Sequence, residues 1–127
     1  MNLLLDTHTF IWFLSGNENI SPKAKFLIQD SSTLSFVSIV SIWEISIKYS
    51  LGKLELLGSI EDLRYDILNN GMQILPLKFE HIIKSASLEF HHRDPFDRIL
   101  ISQSIIEKMP IVGKDEIFDR YNCERKW

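Results

Sequence analysis

Four carboxylates stand where an α/β chain tends to place its chemistry. Asp6 ends the apolar run Leu3-Leu4-Leu5, Glu44 follows the run ending at Ser38-Ile39-Val40, Asp97 lies just inside a long amphipathic segment, and Asp115 follows Ile111-Val112. Asp and Glu offer only hard oxygen donors when ionised, and such donors suit Mg²⁺ or Mn²⁺ rather than zinc. Two such ions about 4 Å apart can hold a phosphodiester, turn a bound water into hydroxide and stabilise the leaving oxygen. Each acid also has a structural explanation, because Asp and Glu near a helix start cap free N–H groups and are worth about 0.5 to 2 kcal/mol there. Taken singly, capping accounts for each as well as chemistry does. Four like charges brought within a few ångströms would repel one another, however, and a divalent cation is the ordinary remedy. Thr7 and Ser41 could orient a water or a phosphate beside this set, or cap their own helices.

The elements that must position these acids alternate along the chain. Leu3–Leu5 reads as a strand buried on both faces, ended by Asp6, and Phe10–Leu14 as a short apolar helix stopped at Ser15-Gly16-Asn17. Ser21-Pro22 opens a second helix that Asp30-Ser31-Ser32 closes. Residues 34–38 predict a strand, and Ser41-Ile42-Trp43-Glu44 predicts a capping box heading a helix that stops near Gly52. Ser59-Ile60-Glu61-Asp62 starts a helix that Asn69-Asn70-Gly71 ends. Residues 73–77 predict a strand near an edge, because Pro76 cannot donate to a ladder. Residues 80–90 read as a helix. Asp94-Pro95-Phe96-Asp97 then opens the longest helix, to about Lys108, with Asp94 as the cap. Residues 109–113 predict a short strand, 115–121 a helical turn or two, and 124–127 a final edge strand. Strand and helix alternation predicts a three-layer α/β/α domain with a mostly parallel central sheet, a single domain over residues 1–127. In such a sheet ligands gather beyond the carboxyl ends of the strands, where Asp6 and Asp115 would lie.

Composition narrows the function classes. A 127-residue chain with 45% hydrophobic residues can bury an ordinary core. A formal net charge of -3 excludes a protein that coats nucleic acid by bulk attraction, so a polyanionic substrate would need local help. Cys123 is the only cysteine, which excludes an intrachain disulfide and a cysteine-cluster metal site and fits a reducing cytoplasm. The N-terminal apolar run is broken by Asp6 and His8, and no segment reads as a membrane span or signal peptide. The Leu54-Glu55-Leu56-Leu57-Gly58 connection reads as a mobile loop or a short apolar turn. His8, His91 and His92 lack the His-x-x-x-His spacing or cysteine partners of a zinc site and read as surface or structural residues. Arg93, Arg98, Lys48, Lys53 and Lys114 read individually as solvated charges, although some could attract phosphate. Trp12, Phe13, Trp43 and Phe96 read as core or interface aromatics ahead of base-stacking platforms.

Four segments, in order and spacing, resemble the signatures of PIN-domain ribonucleases, and most of all those of VapC-type toxins of toxin–antitoxin pairs. They are Leu4-Leu5-Asp6-Thr7-His8, the stretch Ser38–Ile45 with Lys48 and Gly52-Lys53 behind it, His92-Arg93-Asp94-Pro95-Phe96-Asp97-Arg98, and Val112-Gly113-Lys114-Asp115. The resemblance implies a Mg²⁺- or Mn²⁺-dependent endoribonuclease whose metal-coordinating, water-activating quartet is Asp6, Glu44, Asp97 and Asp115. It implies cleavage leaving a 5′-phosphate and a 3′-hydroxyl, a structured RNA target, a homodimer, and an antitoxin covering the active-site groove. Gly113-Lys114 departs from the pattern, since many relatives carry a hydroxyl residue before the last acid. A catalytically inactive PIN-like module that binds RNA or protein is the alternative. A phosphatase using Asp6 as nucleophile ranks behind both, because Asp6-Thr7-His8 lacks the second aspartate two residues on.

Overall fold

A computed structural model describes residues 1–127. Its centre is a five-stranded sheet made of β1 (Asn2–Leu5), β2 (Leu34–Ser38), β3 (Gln73–Leu75), β4 (Ile111–Val112) and β5 (Arg125–Lys126) in the order β3-β2-β1-β4-β5. Every pairing is parallel, with Leu5 opposite both Val37 and Val112. The connections carry α1 (Thr7–Ser15), α2 (Pro22–Gln29), α3 (Ile39–Ser50), α4 (Ile60–Asn69), α5 (Phe79–Ser87) and α6 (Pro95–Glu107), with a 3₁₀ turn at Glu116–Arg120. This is the three-layer α/β/α arrangement that the alternation predicts.

The triple leucine explains why β1 is central. Successive side chains of a strand point to opposite faces. Leu3 and Leu5 join Val37 and Val112 in a core closed by Phe10, Ala24, Ile28, Ile45, Leu63 and Ile67 from α1 to α4. Leu4 points the other way, onto Leu75, Met109 and Phe36, and Ile111 meets Leu100, Ile101 and Phe118. All three leucines are wholly buried, each worth about 1.5 to 3 kcal/mol of transfer free energy, so β1 can only be an inner strand. Pro76 follows β3, an edge strand as its sequence predicts.

Several boundaries differ from the sequence reading. The head of α3 is Ser38, whose hydroxyl accepts the Val40 N–H, so the expected Ser41 to Glu44 capping box does not form and both residues lie inside the helix. α5 ends at Ser87 rather than near Phe90, because the carbonyls of Ser85, Leu88 and Glu89 accept from the Arg98 guanidinium. β3 and β4 are each shorter than expected, β4 being confined to two residues after Pro110. Leu54 and Leu56 pack on the larger core, so the 54–58 connection is an apolar turn whose third leucine, Leu57, stays fully outside. Trp43 is largely exposed and meets Phe96 edge to face at 5.2 Å instead of entering the core. No helix is long and apolar enough to cross a membrane.

Candidate active site

Because all strands are parallel, the residues following β1, β2 and β4 emerge along one edge of the sheet. Asp6 is the first of them. It caps α1, its Oδ1 accepting the Thr9 N–H at 2.8 Å, while the Thr9 hydroxyl donates to the Val112 carbonyl and ties the cap to β4. Asp6 is only 5% exposed. Burial pushes its carboxyl above the usual range, the Thr9 hydrogen bonds oppose that rise, and the Glu44 charge adds to it.

Glu44, one turn and a half into α3, is equally buried. Thr7 Oγ1 lies 2.8 Å from Glu44 Oε1, to which it donates, and shares a second hydrogen bond with Ser41 Oγ at 2.9 Å. The other carboxylate oxygen, Oε2, pairs with Lys48 Nζ at 3.0 Å. Thr7 and Ser41, the two hydroxyl residues singled out beside the acids, therefore brace Glu44. Lys48 is its counter-ion rather than a free surface charge.

Asp97 projects from the first turn of α6, which Asp94 caps by accepting the Phe96 and Asp97 N–H groups, as its sequence predicts. His92 Nδ1 accepts the Asp94 N–H, which leaves Nε2 to carry the proton donated to Asp97 Oδ2 at 2.8 Å. Burial first, then the Asp94 charge, push the Asp97 carboxyl up to about 6; His92 opposes this and Asp6 reinforces it. Asp6 thus feels the charge of Glu44, and Asp97 that of Asp6, so three acids from three separate elements share one electrostatic neighbourhood.

Asp115 is placed differently. Its side chain is exposed and its Oδ1 accepts the Ile117 N–H, capping the 3₁₀ turn. What joins its segment to Asp6 is Gly113: a β-carbon there would stand 2.8 Å from Asp6 Oδ2 and 3.0 Å from the Phe118 ring. The departure at Gly113 thus has a steric reason. No three His, Cys, Asp or Glu side chains are already arranged to hold a metal between them. Glu44 is occupied by Thr7 and Lys48, and one oxygen of Asp97 by His92. Asp6 Oδ2 and Asp97 Oδ1 enter no hydrogen bond within the protein. The donor set still fits Mg²⁺, which keeps several waters and is often held by only one or two carboxylates.

Two residues of this site escaped the sequence reading. His92 is a direct partner of Asp97, and Arg98 is buried rather than solvated. The Arg98 guanidinium donates to the carbonyls of Glu89, His92, Ser85 and Leu88 at 2.9 to 3.1 Å and lies 4.2 Å from the centre of the Phe90 ring. Tyr121 pins the same connection from the far side, its Oη donating to the Glu89 carbonyl and accepting the His92 N–H, both at 2.7 Å. The signal was the position of both residues beside the Asp94-Pro95 helix start, where a connection must turn sharply.

Three solved structures share this architecture. The VapBC2 complex from Rickettsia felis, bound to a DNA fragment from its promoter, is similar with a TM-score of 0.72 at 14% identity, covering 99% of this chain and 98% of that one. FitAcB from Neisseria gonorrhoeae gives a TM-score of 0.58 at 14% identity, covering 98% and 96%. A toxin–antitoxin complex from Klebsiella pneumoniae gives 0.53 at 11%, covering 90% and 87%. At such identities the likeness is one of fold. No curated protein sequence matches significantly. The sequence profile of the PIN domain, by contrast, matches residues 3–122, a span that includes all four acids, and the chain belongs to the PIN-domain family.

Proposed function

We propose that this protein is the toxin of a type II toxin–antitoxin pair, of the VapC type, and that it is a Mg²⁺- or Mn²⁺-dependent endoribonuclease acting on RNA phosphodiester bonds in the cytoplasm. PIN domains are generally nucleases. The observation that carries the reading is that Asp6, buried, and Asp97, half-buried, have their carboxyls pushed up, chiefly by burial, in one neighbourhood with the buried Glu44, where a cation would offset the cost of ionising them. Asp6 and Asp97 would hold the ion through their free oxygens, with Glu44 and Asp115 completing the set. A bound divalent ion supplies charge neutralisation at the phosphate and a more acidic water.

The chain's own residues do the rest. The Thr9 N–H fixes the Asp6 carboxylate, Thr7, itself bonded to Ser41, fixes Glu44, and His92 fixes Asp97, which leaves Asp6 Oδ2 and Asp97 Oδ1 free to face an ion. Lys48 Nζ, 3.0 Å from Glu44 Oε2, places a positive charge beside the acids. Residues 1–127 act as one catalytic domain in this reading. An antitoxin covers the groove at the acids, and the toxin–antitoxin complexes that share the fold support such a partner. The outer face of α5 exposes Phe79, Ile82 and Ile83, which supports a homodimer.

The test is cleavage of total RNA with Mg²⁺ or Mn²⁺ by the wild type against Asp6→Asn and Asp97→Asn, read beside melting temperature with and without Mn²⁺. The expected result is cleavage and a Mn²⁺-induced rise in melting temperature in the wild type only. Equal cleavage by all three proteins would refute the assignment. The engagement of Glu44 by Lys48 and of Asp97 by His92 favours a second reading, an inactive PIN-like module binding RNA or protein. No cleavage together with a melting temperature indifferent to Mn²⁺ would establish it.

A further inference from the structure

Beside the acids lies an aromatic and basic surface that the reaction has not used. His8 and Trp12 are one turn apart on α1, with ring centroids 5.6 Å apart and planes inclined by 32°. Trp127, directly after β5, brings a second indole to Trp12 at 6.1 Å and 60°. Lys114, two residues after β4, holds its Nζ 6.0 Å from the centre of the Trp12 ring. Three distant segments supply this cluster, and the sheet order explains why they meet: β1, β4 and β5 are adjacent and parallel, so the residues just beyond their ends emerge side by side. Asp6 emerges on that same edge, and Gly113, the residue before Lys114, packs against Asp6 Oδ2. The patch is therefore continuous with the acidic site.

Its charge is available. Around it Lys48 pairs with Glu44, Lys126 with Glu124 and Arg125 with Asp119, and Arg98 is consumed by backbone carbonyls. Lys114 is exposed and enters no ion pair, although Asp115 and Glu116 follow it directly. Both tryptophans are half-buried and pack their inner edges on the larger core, which fixes the rings while leaving part of each outside. Rigid aromatic faces with a free cation beside them match single-stranded nucleic acid, whose bases stack without regard to sequence and whose phosphates seek the cation.

We propose that His8, Trp12, Trp127 and Lys114 form a stacking subsite for single-stranded RNA, holding a nucleotide adjacent to the one whose phosphodiester faces Asp6 and Asp97. The proposal rests on the ribonuclease reading and supplies the local attraction that a chain of net charge -3 needs.

Binding of a mixed-sequence single-stranded RNA decamer to the full chain in EDTA, where no cleavage occurs, tests it through tryptophan fluorescence. The RNA should quench the emission, and His8→Ala and Lys114→Ala should each weaken binding about fivefold or more, with melting temperatures unchanged. Trp127→Leu should remove much of the quenching. Arg64→Ala deletes a charge on α4, which packs beside β3 at the opposite edge of the sheet, and should leave affinity within about twofold of wild type. RNA affinity unchanged in Lys114→Ala and His8→Ala, or reduced no more than in Arg64→Ala, overturns the subsite. RNA cut normally by a Lys114→Ala protein with unaltered kcat/KM overturns it while sparing the nuclease. RNA bound through the patch but left intact with Mg²⁺ and Mn²⁺ refutes the nuclease and supports the subsite. RNA neither bound nor cut by the wild type overturns both.

Discussion

Arg98 offers the sharpest test of how the site is held. Replacing it with alanine strands four carbonyl groups that now accept from one guanidinium. Only the bond to Leu88 is fully buried, so that carbonyl alone is orphaned, at a cost of about 1 to 3 kcal/mol. The other three can turn to water, losing about 0.5 kcal/mol each. Loss of the stacked Phe90 adds about 0.5 to 1 kcal/mol. The expected destabilisation is about 3 to 5 kcal/mol, or about 10 to 20 °C in Tm for a chain of this length. Arg98→Lys should recover only part of it, because an ammonium cannot fork between two pairs of carbonyls. Urea denaturation followed by tryptophan fluorescence measures the loss, and hydrogen exchange should show faster opening of residues 85–92 than of β1. Since the His92 carbonyl is one of the four acceptors and the His92 ring holds Asp97, cleavage should fall even where the variant stays folded. An Arg98→Ala protein within about 1 kcal/mol of wild type would refute the account.

The same geometry sets two other outcomes. Gly113→Ala places a methyl group 2.8 Å from Asp6 Oδ2 and 3.0 Å from the Phe118 ring, so it should cost about 1 to 3 kcal/mol and weaken Mn²⁺ binding; wild-type stability and an unchanged Mn²⁺-induced melting shift would contradict the close approach. Glu107 is held below the usual carboxylate range chiefly by the hydrogen bond from the buried His81, with Lys78 adding to the effect. A depressed folded value means that its contribution is present above the unfolded pKa of about 4.3 and lost as the pH falls through the folded value. The stability difference between wild type and Glu107→Gln should therefore shrink as the pH drops below about 4.5, and a difference that is flat down to pH 3 would contradict the pairing.

Much of the fold was legible in local chemistry. Leu3-Leu4-Leu5 declares an inner strand because no other placement buries three adjacent leucines on both faces. Ser21-Pro22, Ser59 with Asp62, and Asp94-Pro95 announce helix starts through hydrogen bonds that close within three residues, and each forms as expected. The start of α3 was misplaced because Ser38 and Ser41 are both adequate caps locally. Ser38 ends β2 opposite Leu75 of β3, and that pairing decides where the strand stops and the helix starts.

The acids divide along the same line. Their identities and the capping roles of Asp6, Asp94 and Asp115 belong to the sequence, since each cap is a contact with a residue two or three positions on. The fates of Glu44 and Asp97 belong to the tertiary structure. Glu44 meets Thr7 from 37 positions away, and His92 can reach Asp97 only because Arg98 and Tyr121 fold residues 85–92 back on themselves. Local hydrogen bonds depend on spacing along the chain and can be read from it. The neighbourhood shared by Asp6, Glu44 and Asp97 depends on a parallel sheet bringing separate strand ends to one edge, and only the packed molecule determines how near those charges come.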